Sequence, residues 1–295
     1  MVKGIHILLT YDCNFECDHC FLYCGPHFKG TFTREQLRSL LREVEKIGTI
    51  SWVYFEGGEP FLYYPLMVEG ISMMKDAVSK TGVVTNAYWA TTVDDARLWL
   101  SPLKTLEISD LSLSDDAFHF AGDDNEAKRA FQAAKELGMP VNTICIDEPT
   151  VEKGQDRGEP VIGGGVMLRG RAVETLTEGL PRRKYDSFTE CPFEDLEDPQ
   201  RVHVDCYGNV HICQGVSMGN MWEIPLSELI ATYDPLTHPI CGPLVEGGPA
   251  LLAKTYDVVH EDTYVDACHF CYCTRLALVN TFPHYLTPRQ VYGLE

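Results

Sequence analysis

Positive charge is what this 295-residue chain has least of: 24 Lys and Arg stand against 43 Asp and Glu, a formal net charge of −19. Nucleic acid backbones are gripped by clustered cations, and the one short basic run, Arg182-Arg183-Lys184, reads as a solvated loop, so nucleic acid is excluded as a substrate. Long hydrophobic runs are missing too. No stretch approaches the roughly 20 apolar residues that span a bilayer, and the apolar run behind the N-terminus is too short for a signal peptide. Low-complexity and disordered compositions are also absent. A membrane partner and secretion are thereby set aside, and the expected location is the cytoplasm.

Cysteine, by contrast, is plentiful: twelve in one chain. In a secreted protein that number would mean disulfides, whereas in a reducing compartment it points to metal. Their grouping favours metal: Cys13, Cys17 and Cys20 lie together near the start, a set lies beyond residue 190, and Cys24 and Cys145 stand outside both groups. With 45% hydrophobic residues the chain can bury a substantial core, as one large domain with an appendage or as two domains.

Short β-rich runs alternate with helical stretches over the first part of the chain, which predicts a parallel sheet built from βα units. The expected strands cover 5–10, 51–56, 82–86, 106–113, 141–146 and 161–168. Between them, Thr33-Arg-Glu-Gln resembles a capping box opening a helix whose apolar positions Leu37, Leu40, Leu41, Val44 and Ile47 share one face, with Gly48 as its stop. A second helix is expected over 125–137. Beyond about residue 181 the alternation ends, and 201–206 and 210–214 read as a β-hairpin turning through Tyr207-Gly208-Asn209. Short helices over 225–233 and 250–257 follow, and then Cys268-His-Phe-Cys-Tyr-Cys. So small a module usually needs a metal or a disulfide to hold it.

The early cysteines form a C-x3-C-x2-C triplet directly after the first strand. Three thiolates on one loop can bind three irons of a 4Fe-4S cube and leave the fourth iron open for chemistry. The second strand runs into Gly57-Gly58-Glu59-Pro60. Two glycines let backbone approach a ligand closely, and Glu59 can oppose an ammonium. Either motif alone has a plain alternative, a zinc or disulfide framework for the triplet and a turn for the glycines.

In this order the two motifs resemble the radical S-adenosylmethionine (SAM) enzymes. The resemblance implies an α/β fold, a partial (β/α)6 TIM-like barrel, with active-site groups at the carboxyl ends of the strands. It implies that Cys13, Cys17 and Cys20 hold the SAM-binding 4Fe-4S cluster and that Gly57, Gly58, Glu59 and Pro60 meet the SAM amino group. Three further segments match. Thr85-Asn86-Ala87 places Asn86 near SAM, Ser114-Asp-Asp-Ala-Phe-His119 places Ser114 near its ribose or carboxylate, and Arg169-Gly-Arg171-Ala, which resembles a segment of members with extra clusters, places Arg171 against SAM or substrate. Taken singly, Asn86 is a turn residue, Ser114 a helix cap and Arg171 a surface charge. His19, just before the third cysteine, sits where relatives place an aromatic residue near the adenine. Cys24 is either structural or a fourth ligand that would close the iron.

The C-terminal cysteines resemble the auxiliary-cluster modules called twitch and SPASM, with the radical SAM part over 1–180 and the module and tail over 181–295. That resemblance implies one auxiliary 4Fe-4S cluster on Cys191, Cys213, Cys268 and Cys271. Cys191 lies farther from Gly208 than is usual, and the spaced cysteines of a two-cluster module do not follow. Cys206, Cys241 and Cys273 stay unassigned, the number of auxiliary clusters stays open, and a zinc ribbon is the alternative.

The implied activity is reductive SAM cleavage and hydrogen abstraction from a peptide or small molecule, for oxidation or maturation, with reduced flavodoxin or ferredoxin as electron donor. An epimerase or isomerase is the second reading, with Cys145 as a hydrogen donor unless it is merely a core thiol. A non-catalytic electron relay is the third. Because the first strand begins so early, no N-terminal peptide-recognition or cobalamin-binding domain is expected. Tyr88, Trp89, Asp147 and Glu148 follow strands and could line a substrate pocket.

Overall fold

The computed structural model describes residues 1–122, 124–153 and 160–294. β1 (Gly4–Thr10), β2 (Trp52–Gly57), β3 (Lys80–Thr85), β4 (Asp110–Ser114) and β5 (Val141–Ile144) alternate with α1 (Arg34–Ile47), α2 (Tyr64–Met74), α3 (Val93–Thr105) and α4 (Glu126–Glu136). Successive strands pair in parallel, as βα crossovers require. Local signals place the helices. Gln36 N donates to Thr33 Oγ1 while Thr33 N donates to Gln36 Oε1, completing the capping box, and Gly48 at φ 68° ends α1. Leu37, Leu40 and Val44 then join Ile5, Ile7, Val53 and Phe55 in one core. β4 starts later than expected, at Asp110, because Leu106 is still needed to cap α3.

The sixth strand is a correction. β6 (Val151–Lys153) and β7 (Pro160–Ile162) form a separate antiparallel pair, and residues 163–168 are irregular where a strand over 161–168 is expected. Gly163-Gly164-Gly165 explains this: Gly164 and Gly165 adopt φ of 90° and 77°, which no strand accommodates. After α5 (Ala172–Thr175) and β8 (Arg183–Lys184), a sixth parallel strand does appear, but at the opposite edge. β9 (Arg201–Asp205) pairs with β1. β10 (Asn209–Cys213) and β11 (Val216–Asn220) extend that edge antiparallel, giving the order β11-β10-β9-β1-β2-β3-β4-β5.

The sheet is therefore open rather than a closed barrel, and it runs across the boundary expected near residue 181. The expected hairpin is the β9–β10 turn. α6 (Leu226–Thr232), α7 (Cys241–Thr255, broken at Gly247 and Gly248), β12 (Thr263–Tyr264, paired with β8) and α8 (Ala267–Leu278) complete the chain. They gather a second core that includes Ile212, Val216, Leu252, Tyr272 and Leu278. None of the described helices is long and apolar enough to cross a membrane.

Candidate active site

β1 delivers the chain into the loop that carries Cys13, Cys17, Cys20 and Cys24. These four thiols face one cavity of about 310 Å³. Backbone N–H groups already address the sulfurs: Phe15 N lies 3.5 Å from Cys13 Sγ and Cys24 N 3.3 Å from Cys20 Sγ. Such bonds favour a thiolate. Burial works the other way, pushing Cys13 up to about 12 and Cys17 higher still. Cys20 is drawn down to about 6, chiefly by a hydrogen bond from the Cys24 thiol. Filling the loop with metal must therefore expel protons from Cys13 and Cys17.

Arg171 pins this loop from behind. Its guanidinium donates to Cys17 O (2.8 Å) and Cys24 O (2.7 Å), and its backbone N–H to Cys20 O (3.1 Å). It does not line the cavity.

Gly57 and Gly58 form the opposite wall. Gly58 N donates to Thr10 O and Glu59 N to Asp12 O, at 2.7 and 2.9 Å. That approach tolerates no side chain: a Cβ on Gly57 would lie 2.4 Å from Thr10 O, and one on Gly58 2.1 Å from Asp12 O. Glu59 is fully buried and turned inward. Its carboxylate accepts from Phe61 N (2.9 Å), Thr85 Oγ1 (2.8 Å) and Asn86 N (2.8 Å), tying the loops after β2 and β3 together. Burial outweighs those bonds and lifts its pKa to about 7. Pro60 is buried beside it and, like Glu59, stays off the cavity wall.

Asn86 does reach the wall, donating to Asn14 Oδ1 at 2.9 Å and lying 3.7 Å from Cys13 Sγ. Ser114 lines it from the end of β4. His19 packs on Phe118 at 4.5 Å, and burial lowers its pKa to about 4, so the ring is neutral. His119 also lines the cavity, its Nδ1 held 2.7 Å from Asp116 Oδ1. Burial opposes ionisation of Asp116, yet that His119 contact prevails and keeps the carboxyl below its usual range. The pair was not among the expected site residues, although both lie in the Ser114–His119 segment. Cys145 is exposed and off the wall, while its neighbours Ile144 and Ile146 line it.

A second, smaller cavity collects Cys191, Cys213, Cys268 and Cys271. Cys268 and Cys271 share a face of α8, which Asp266 caps by accepting from His269 N. Two fully buried arginines flank the thiols. Arg169 Nη1 lies 3.0 Å from Cys213 Sγ, and Arg275 donates to Gln214 O at 2.9 Å. Sequence alone gives no signal that these cations are buried against sulfur. Cys206, Cys241 and Cys273 lie off this cavity. All twelve cysteines are free, as metal ligation needs.

Residues 7–160 match the family described as the Radical SAM superfamily. The chain is 28% identical over 266 residues to YydG of Bacillus subtilis (strain 168), which carries the name "Putative peptide biosynthesis protein"; the match covers 88% of this chain and 76% of YydG. Its fold resembles the crystal structure of BtrN in complex with AdoMet and 2-DOIA, with a TM-score of 0.51, 16% identity, and coverage of 78% of this chain and 82% of BtrN.

Proposed function

The chain belongs to the radical SAM superfamily, and from that premise we propose that it is an enzyme that cleaves SAM reductively and removes a hydrogen atom from a peptide substrate. The observation that carries this reading is the convergence of Cys13, Cys17 and Cys20, the Gly57-Gly58 backbone, Asn86, Ser114 and His19 on one cavity. Bound together, a 4Fe-4S cluster and SAM supply a 5′-deoxyadenosyl radical able to take hydrogen from an unactivated carbon.

The chain's own residues bind and orient. The three cysteines hold the cluster, the close glycine backbone admits the methionine end of SAM, and His19 offers a neutral ring for the adenine. Glu59 and Arg171 act through others: the first fixes Asn86, the second fixes the cysteine loop. The name of YydG supports a peptide substrate.

Cys191, Cys213, Cys268 and Cys271 fit one auxiliary 4Fe-4S cluster, because a cluster on four thiolates is anionic and Arg169 and Arg275 are placed to offset that charge. A residue 181 boundary for this module is retained as a functional division, although its first strands share the main sheet. An auxiliary centre can take an electron from a substrate radical, so net oxidation is the preferred outcome over epimerisation.

Anaerobic reconstitution is expected to give about two 4Fe-4S clusters per chain. SAM with a reductant then releases 5′-deoxyadenosine, and Cys13→Ala abolishes it. Release that persists in Cys13→Ala would refute the proposal. Loss of two hydrogens from the product marks oxidation, whereas solvent deuterium in a product of otherwise unchanged composition marks epimerisation.

A further inference from the structure

We propose that His6, Glu56 and His203 form a binding site for a divalent cation of the zinc or iron(II) class, with no cysteine among its ligands. The three residues come from β1, β2 and β9, neighbouring parallel strands, and His6 stands directly opposite His203 in register. Alternation puts all three side chains on the polar face of the sheet. Their donor atoms all lie within 4.8 Å of one another. His6 Nδ1 is 3.1 Å from Glu56 Oε2, and His203 Nε2 is 3.6 Å from Glu56 Oε1. Such spacings suit donors that share one ion at bonds of about 2.0–2.2 Å.

The competing explanation is a plain carboxylate–imidazole pair, and the hydrogen bonding argues against it. His6 Nδ1 makes no hydrogen bond despite its closeness to Glu56. His203 Nε2 lies 3.2 Å from Gln214 Nε2, so an ion there takes up the lone pair that this amide otherwise faces. At His6 the carboxylate thus faces an imidazole nitrogen with no hydrogen bond between them. A cation between the three groups gives His6 Nδ1 and the Glu56 carboxylate the partner they otherwise lack.

The rings are held in place. Trp52 packs edge-on to His6 at 5.0 Å and Tyr54 lies 5.7 Å away. Those two side chains rest over glycines, since a Cβ would come within 1.9 Å of Trp52 at Gly4 and 2.4 Å of Tyr54 at Gly82. Glu56 also lines the larger cysteine cavity. An ion with three protein ligands keeps a position open, where an oxygen or nitrogen of a further ligand can bind. The site stands on this geometry and does not depend on the reaction proposed above.

The test is a Co2+ titration of the anaerobically purified chain with its iron–sulfur centres filled. About one further cobalt should bind, with nitrogen–oxygen visible bands and no thiolate-to-cobalt charge transfer, as three non-sulfur ligands require. His203→Phe and Glu56→Gln should each weaken it at least tenfold at unchanged iron and sulfide content. Cobalt binding that is unaltered in both variants, or that shows only thiolate charge transfer, overturns the proposal. Should the variants lose iron, X-ray absorption of the zinc-loaded parent decides. A nitrogen–oxygen shell with imidazole scattering supports the site, and a sulfur shell or no bound zinc overturns it.

Discussion

Arg169 Nη1 lies 3.0 Å from the sulfur of Cys213 while the same guanidinium, only 4% exposed, pairs with Glu194 at 3.4 Å. One buried cation thus serves a thiol and a carboxylate together. Removing it leaves Glu194 with Arg201 alone, at 3.1 Å, and strips the cavity of one of its two positive charges. Arg169→Met is expected to cost about 1–3 kcal/mol, the penalty for a lost buried hydrogen-bond partner where Glu194 still has Arg201. It should also lower the reduction potential of the proposed auxiliary centre while the first centre keeps its iron. Denaturant midpoints and an electron paramagnetic resonance redox titration check both halves.

Arg171 gives a contrasting expectation. Its bonds to Cys17 O and Cys24 O anchor the first cysteine loop, so Arg171→Ala leaves two carbonyls short of donors at about 1–3 kcal/mol each if no water replaces them. Iron retention at the first centre should fall, with 5′-deoxyadenosine release falling in proportion. If iron is retained in full and release alone drops, Arg171 touches SAM rather than the loop.

These two arginines show where sequence stops being legible. The strands β1 to β5, the Thr33 capping box and the cysteine groupings are local patterns, and local chemistry decides them. β9 is different: its own residues read as a hairpin strand, but nothing in them specifies β1 as a partner, with Gly4 opposite Arg201 in register. Arg171 likewise sits in a recognisable segment, yet its bond to Cys17 spans 154 positions. Glu59 reads as a ligand group from its place after two glycines, and only the structure shows its carboxylate accepting from Phe61 N, Thr85 Oγ1 and Asn86 N. Long-range pairing and side-chain direction are set by packing, which a linear pattern does not contain.

Gly58→Ala tests the close approach itself. The added Cβ would meet backbone at Asp12 O, at 2.1 Å, and not a flexible side chain that could move aside. Overpacking of this kind costs about 1–3 kcal/mol. The displacement falls on the wall that faces Cys13, so SAM binding, measured by equilibrium dialysis on reconstituted protein, should weaken at least tenfold, or about 1.4 kcal/mol. Unchanged SAM affinity would mean that the ligand does not use this wall.

Glu59 predicts a pH dependence. Burial lifts its folded pKa to about 7 in spite of the hydrogen bonds from Asn86 N, Phe61 N and Thr85. A raised carboxyl pKa means that the folded chain holds this proton more tightly than the unfolded chain. The stability it contributes is present in acid and is lost as pH rises from about 4.5 through about 7, by roughly 3 kcal/mol at most. His19 and His269, both lowered by burial to about 4, act in the opposite sense, gaining stability as pH rises through their unfolded range. The informative quantity is therefore the difference between parent and Glu59→Gln. Urea midpoints of the cluster-free chain, taken at about pH 5 and about pH 8, should show the variant losing less stability, or gaining more, than the parent over that interval. Equal changes in the two proteins would place Glu59 as an ordinary ionised carboxylate throughout.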